Sequence, residues 1–381
     1  MTSNDDFSED LLIEILSRLP VKSLMRCKFV CRFWCALIKS PRFVYRHIIN
    51  YNDDNTRLVV EKVPGYDEGP PYVLFHDETL VDLSNDERFE PPTRHDHELL
   101  GNCNGLFCLH DKNSNRISIW NLATREFRAL PKWKGEIPRH KWVYQINFGF
   151  ELDSSSNDYK IIFILNLTDD NTRKDSVSTE VILYTLSTDS WRYLKANELS
   201  DYSFLGGQQS ENTYLDRICY WIAWRYNNCQ EILSFHMRDE AFHVIKCPDN
   251  SYFPNPILGV YDNSLHFLDF DRSESCFEKW VMKEGSWKKQ LSVGPILGVL
   301  RALEFWKNGS FFIESNTNQL LLYDPNTRAL RDVGLGTDGL FLHRYKESLI
   351  STEWEDWVVD FFDIPIPWQI LGVYQTDFDS S

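Results

Sequence analysis

Tyr184-Thr185-Leu186-Ser187-Thr188-Asp189-Ser190-Trp191 sets one aromatic residue seven positions before another, across a run of turn-forming side chains. Ser, Thr and Asp in the middle favour a chain reversal, and the bulky residues at the ends favour extended backbone. The stretch therefore reads as a β-hairpin. The same design recurs at Trp120 to Phe127, Phe235 to Phe242, Trp280 to Trp287 and Tyr323 to Leu330, with starts 64, 51, 45 and 43 residues apart. Ahead of each lies another strand that opens after a turn residue: Asn104-Gly105-Leu106, Asn157-Asp158-Tyr159, Asp216-Arg217-Ile218, Asn263-Ser264-Leu265 and Asn308-Gly309-Ser310. Strand pairs recurring at a period of ~45 residues are the signature of β-propeller blades. Residues 55–355 leave room for about six, the first and last irregular and closing the ring on each other. A β-sandwich with chance turns is the competing fold, and five matches at one spacing weigh against it.

The first fifty residues are different in texture. Leu11, Leu12, Ile15, Leu16 and Leu19 form one apolar stripe of a 3.6-residue helix. Ser8 is its expected N-cap, Glu9 and Asp10 complement its dipole, and Pro20 ends it. A short helical turn over residues 21–26 and a second amphipathic run over 29–39 follow, closed by Ser40-Pro41. The expected fold class is thus mainly β with a small α N-terminal domain of three helices. The divisions are residues 1–50 for the helices, 51–98 for an acidic connection and first blade, 99–355 for the repeats and 356–381 for a tail.

Composition narrows the function classes. Residues 1–50 carry eight Lys/Arg and five Asp/Glu, the whole chain is −16, and −19 therefore falls on residues 51–381. Such a body repels a phosphate backbone, so nucleic acid is not an expected partner, whereas a basic protein is. No apolar run reaches the ~20 residues a membrane span needs, and the polar, acidic first residues are not a secretion signal. The expected location is the cytoplasm or nucleus. Nine cysteines without a CxxC pair fit buried thiols rather than a disulfide or zinc framework.

Three motifs with chemical potential read as structural. Gly334-Leu335-Gly336-Thr337-Asp338-Gly339 has the glycine spacing of a dinucleotide loop, but no helical pattern follows it. His95-Asp96-His97-Glu98 lies in an acidic stretch with no third ligand in view. Cys27, Cys31 and Cys35 stand four apart beside Val30, Phe33 and Trp34, where thiols pack as small hydrophobes. No catalytic residue, metal or cofactor is expected.

The run Phe7 to Ile38 resembles an F-box. Leu19-Pro20-Val21-Lys22-Ser23-Leu24 and the tail Cys31-Arg32-Phe33-Trp34-Cys35-Ala36-Leu37-Ile38 fall in register, with Phe7-Ser8 where the family has Leu-Pro. The rest resembles the plant F-box proteins with an F-box-associated β domain. Leu100 to Leu106, Ile119 to Arg125, Phe148-Gly149-Phe150, Asp158-Tyr159-Lys160, Tyr184 to Trp191, Ile232 to Phe235 and Trp280-Val281-Met282 carry the likeness. Leu291 to Gly298 and Leu303 to Trp306 resemble the S-locus F-box and S-locus F-box-like subgroup. The resemblance implies a non-catalytic ubiquitin-ligase subunit. Its F-box would bind a Skp-type adaptor of a cullin–RING ligase, and its β domain would hold a protein substrate for proteasomal degradation. In the S-locus subgroup that substrate is a non-self S-ribonuclease, a basic protein; in related proteins it is an immune receptor or another regulator. A stand-alone propeller, enzyme or sugar-binding, is the rival from another class.

The expected adaptor contacts are Leu11, Leu12, Ile15, Leu16, Leu19, Pro20, Leu24, Trp34, Leu37 and Ile38. These apolar residues exceed what so small a helical unit can bury, although some also hold it together. The expected substrate contacts are two acidic groups suited to steering a basic partner. The first is Asp67, Glu68, Asp77, Glu78, Asp82, Asp86 and Glu87. The second is Glu353, Glu355, Asp356 and Asp360, among Trp354, Trp357, Phe361 and Phe362.

Overall fold

A computed structural model describes residues 8–50, 56–62, 72–75, 91–92, 97–111, 114, 116–135, 141–153, 156, 158–169, 178–204, 213–225, 229–248, 256–338 and 340–352. Helices α1 (Glu9–Leu16), α2 (Val21–Cys27), α3 (Arg32–Lys39) and α4 (Pro41–Asn50) come first. Ser8 Oγ accepts the Leu11 N–H at 3.2 Å, the N-cap expected of it. α4 departs from the three-helix expectation. Ser40-Pro41 does end α3, but the same pair starts the next helix. Ser40 Oγ accepts the Phe43 N–H at 3.3 Å, and proline at the first helical position has no intrahelical bond to forfeit. Buried His47 of α4 donates through Nε2 to Leu19 O at 3.1 Å, and Asn50 Nδ2 donates to Ser17 Oγ at 2.6 Å, which fixes α4 against the end of α1.

The strands form six antiparallel sheets. β1 (Arg57–Lys62) and β2 (Tyr72–Phe75) belong to a sheet completed from the far end of the chain. The first sheet is β3 (His97–Cys103), β4 (Leu106–Asp111), β5 (Arg116–Asn121) and β6 (Glu126–Ala129). The second is β7 (Lys141–Asp153), β8 (Asp158–Asp169), β9 (Ser178–Thr185) and β10 (Ser190–Leu194). In the third, β11 (Tyr202–Phe204) and β12 (Thr213–Leu215) both pair with β13 (Ile218–Arg225), followed by β14 (Gln230–His236) and β15 (Ala241–Lys246). The fourth is β16 (Ile257–Tyr261), β17 (Ser264–Asp271), β18 (Cys276–Lys283) and β19 (Ser286–Val293). The fifth is β20 (Val299–Phe305), β21 (Phe311–Ser315), β22 (Gln319–Asp324) and β23 (Ala329–Gly336). β24 (Leu340–Tyr345) then pairs with β1 from Arg57↔Tyr345 to Lys62↔Leu340, so the two ends of the chain close the ring as the repeat arithmetic expects.

Each of the five aromatic segments spans the hairpin between the third and fourth strands of a sheet. Trp120↔Phe127, Tyr184↔Trp191, Phe235↔Phe242 and Tyr323↔Leu330 are directly paired. Their four-residue turns end on Arg125, Asp189, Glu240 and Arg328, all at φ between 47 and 62°. The fourth segment differs. Glu284-Gly285, both with positive φ, make a two-residue turn, so Trp287 faces Met282 and Trp280 faces Lys289. The seven-residue spacing there does not report a pair, although Trp280 is still core and half-buried Trp287 meets Phe267 edge-to-face at 5.9 Å.

A separate apolar cluster fills each gap between neighbouring sheets, six in all among the described residues. Glycine is needed where these gaps are tightest. A Cβ on Gly259 would lie 2.0 Å from Phe305 Cδ2, across the seam between the fourth and fifth sheets. Gly259→Val is therefore expected to destabilise the protein by about 1–3 kcal/mol, read as a lower thermal midpoint. An unchanged midpoint would mean that the seam has room for the added methyl groups.

Antiparallel alternation puts the first-to-second and third-to-fourth turns on one face of the ring, and the remaining loops on the other. The helices attach at the first of these faces. Glu347, two residues beyond β24, accepts the Val21 N–H at 3.3 Å and pairs with Arg57 at the start of β1. Ile13, Leu16, Val21, Leu24, Leu37, Ile38, Phe43 and Val44 join one continuous core with the first and second sheets. Past β24, the chain is held by buried Asn121, whose Nδ2 donates to Ser348 O and Ile350 O at 3.1 and 2.7 Å.

Candidate functional site

The helical unit exposes more apolar surface than its size explains. Leu11 and Ile15, one turn apart on α1, are 46% and 48% exposed. Phe29 and Val30, between α2 and α3, are 89% and 64% exposed, and Phe33 in the first turn of α3 is 52% exposed. Pro20 is exposed, and Leu12, Leu19 and Trp34 are half-buried. Apolar side chains so concentrated mark a partner surface.

Of the ten residues expected to touch an adaptor, Leu16, Leu24, Leu37 and Ile38 are buried at 6% exposure or less. They pack in one core with α4 and the first two sheets. Phe29, Val30 and Phe33 are exposed apolar residues of the same unit outside those ten. The amphipathic run expected over 29–39 includes Val30 and Phe33. However, α3 begins only at Arg32, and burial rises along it from Phe33 through Trp34 to Leu37, so it packs by its C-terminal half. The same break separates the cysteines. Cys27 ends α2 and exposed Cys31 caps α3, its Sγ accepting the Trp34 N–H at 3.5 Å, so the three thiols do not share a helical face.

On the axis of the ring lies a cavity of about 520 Å³. The turns at Asn104-Gly105, Asp262-Asn263 and Lys307-Asn308 stand at its mouth, on the face that carries the helices. Deeper in, Glu61 accepts the Leu99 N–H at 3.1 Å and lies 3.3 Å from His343. Glu304 lies 3.3 Å from Arg344, which also donates to Val260 O at 2.8 Å. Glu61–Leu99, Glu304–Arg344 and Arg344–Val260 tie different sheets together, while Glu61–His343 lies within one sheet.

All eleven acidic residues expected to contact a substrate lie outside the described residues, as do Trp354, Trp357, Phe361, Phe362, His95 and Asp96. Buried His97 packs edge-on against Phe127 at 6.3 Å, and among the described residues no group of three or more His, Cys, Asp or Glu is placed to hold a metal. Gly334 and Gly336 lie within β23, in strand rather than ahead of a helix. No helix among the described residues is long and apolar enough to cross a membrane.

Comparison with known proteins agrees with both halves of this architecture. Residues 5–46 match the F-box domain, and residues 76–355 match the F-box associated beta propeller domain. An F-box/kelch-repeat protein of Arabidopsis thaliana is 25% identical over 338 residues, which cover 80% of this chain and 84% of its own length. An F-box protein of the same plant is 23% identical over 398 residues, covering 86% and 87%.

Proposed function

This chain belongs to the F-box proteins that carry an F-box associated beta propeller domain, and on that premise we propose that it is the substrate-recognition subunit of a ubiquitin ligase built on a Skp-type adaptor and a cullin. The observation that carries the reading is the apolar surface of Leu11, Ile15, Phe29, Val30 and Phe33, left uncovered on the one segment that matches an F-box. An adaptor would cover it.

The mechanism asks for no reactive group in this chain. A subunit that holds a target lysine beside a charged conjugating enzyme raises its effective concentration, and that is the catalytic contribution. The helices occupy one face of the ring, so the loops of the other face are the free surface best placed to hold a substrate. Those loops are the second-to-third strand turns and the connections between sheets. The charge of −19 beyond residue 50 favours a basic substrate such as an S-ribonuclease. Such a complex would work in the cytoplasm or nucleus, where the proteasome acts.

Reconstitution tests the role. The full chain, co-expressed with a plant Skp-type adaptor, should co-purify with it and support ubiquitin transfer to a captured protein once cullin and RING subunits are added. A chain that purifies stably without adaptor and captures none would remove the reading. Association with a basic substrate should slow as salt rises from about 0.01 M to 0.15 M, as the Debye length falls. A rate that does not change with salt would leave the acidic surface a solubility feature alone.

A further inference from the structure

Lys279 is the exception among the buried cations. Its side chain is 4% exposed, yet among the described residues no carboxylate or carbonyl accepts a hydrogen bond from its ammonium. Buried Lys160, by contrast, donates to Asp153 at 2.8 Å, to Glu240 at 3.0 Å and to Met237 O at 2.9 Å. The Lys279 ammonium instead lies over two aromatic faces, 5.3 Å from the Tyr261 ring centre and 5.6 Å from that of Phe305. Burial alone lowers its pKa, with no opposing contribution from an acid. Aromatic faces attract a cation more weakly than a carboxylate does, and they do not offset the loss of its hydration.

A second buried base shares this spot. His266 is 2% exposed; its Nε2–H donates to Tyr261 O at 3.1 Å, and its Nδ1 has no partner. Burial and the nearby Lys279 charge push its pKa down to about 4. The ammonium is also close to the cavity mouth. A Cβ built on Gly309 would lie 3.7 Å from Lys279 Nζ and 3.8 Å from the Tyr261 ring, and Tyr261 and Asn308 both line the mouth. Asp262 on that rim makes no ion pair with Lys279, although its charge works against the fall in the His266 pKa. The Lys279 charge thus stands just behind the mouth of the central cavity, beside a neutral imidazole.

We propose that this rim binds the carboxylate or phosphate of a small organic anion entering the central cavity, with Lys279 as its counter-ion. The organic part would rest in the cavity against Tyr261, Trp306 and the amides of Asn263 and Asn308. This site is independent of the ligase reading.

The test uses the full chain with sodium phosphate and sodium acetate as probes, and sodium chloride at matched ionic strength as control. In the wild type, an anion at the rim should shift the 13Cε resonance of Lys279 and raise the pKa of His266 from about 4, since a neighbouring negative charge favours the imidazolium. A saturating anion should also raise the thermal midpoint. In Lys279→Met the anion affinity should fall at least about tenfold, because a charge-assisted contact is lost. The fold should survive, because methionine has similar volume and no charge to desolvate. A response to phosphate alone assigns a phosphate ester, a response to acetate alone a carboxylic acid, and a response to both a site for either. The proposal is overturned if neither anion differs from chloride, or if wild type and Lys279→Met respond alike. Should the variant not fold, the 13Cε and His266 shifts in the wild type decide the matter.

Discussion

Trp221→Ala is expected to destabilise the protein by about 3–5 kcal/mol. The side chain is 1% exposed and lies in the cluster that fills the gap between the second and third sheets. Its indole N–H donates to Phe148 O at 2.9 Å, from β13 of one sheet to β7 of the next. Truncation leaves a cavity at that seam and an unpaired carbonyl, and the two costs act together. The surroundings cannot easily collapse into the space. Gly149, beside Phe148, already has Ile162, Cys219 and Trp221 within 3.0 Å of where a Cβ would be. Urea denaturation read by far-ultraviolet circular dichroism measures the loss. A change below about 1 kcal/mol would mean that the seam is held by its rim rather than by this ring.

Leu11→Ala combined with Ile15→Ala should weaken adaptor binding by at least about 2 kcal/mol, roughly thirtyfold, with little change in thermal midpoint. Both side chains are about half exposed, so removing them takes little from the chain's own core. Leu16→Ala, one position along the same helix, is the contrasting case. It is 3% exposed and packs with the first and second sheets, so its truncation should cost about 2–5 kcal/mol of stability. Titration calorimetry with the adaptor, beside a thermal melt of each variant, separates the two. A double variant that binds at full strength would shift the interface to Phe29, Val30 and Phe33.

The Lys279 site and the F-box surface stand differently towards the sequence. The F-box is a local pattern, in which helical periodicity, a serine cap and a Leu-Pro-Val-Lys-Ser-Leu core fall within about forty consecutive residues. Nothing within Glu278-Lys279-Trp280 marks its lysine as unpaired. Its neighbours are Tyr261 and His266 on other strands, and Phe305 and Gly309 on the adjoining sheet.

The sequence by itself determined the two-part architecture, the ring of about six units and its closure by the chain ends. Those features repeat along the chain or concern short segments, and the hairpin between third and fourth strands states its chemistry within eight residues. It went astray where a single residue altered local geometry. The Glu284-Gly285 turn shifted the pairing of Trp280 and Trp287, and Ser40-Pro41 began a helix as well as ending one. Only the tertiary structure decided which F-box residues are core and which are surface. One amphipathic stripe can serve either purpose, and the choice depends on where α4 and the first two sheets cover it. The unpaired lysine too depends on two sheets meeting, since a counter-ion is a neighbour in space and leaves no trace in sequence spacing.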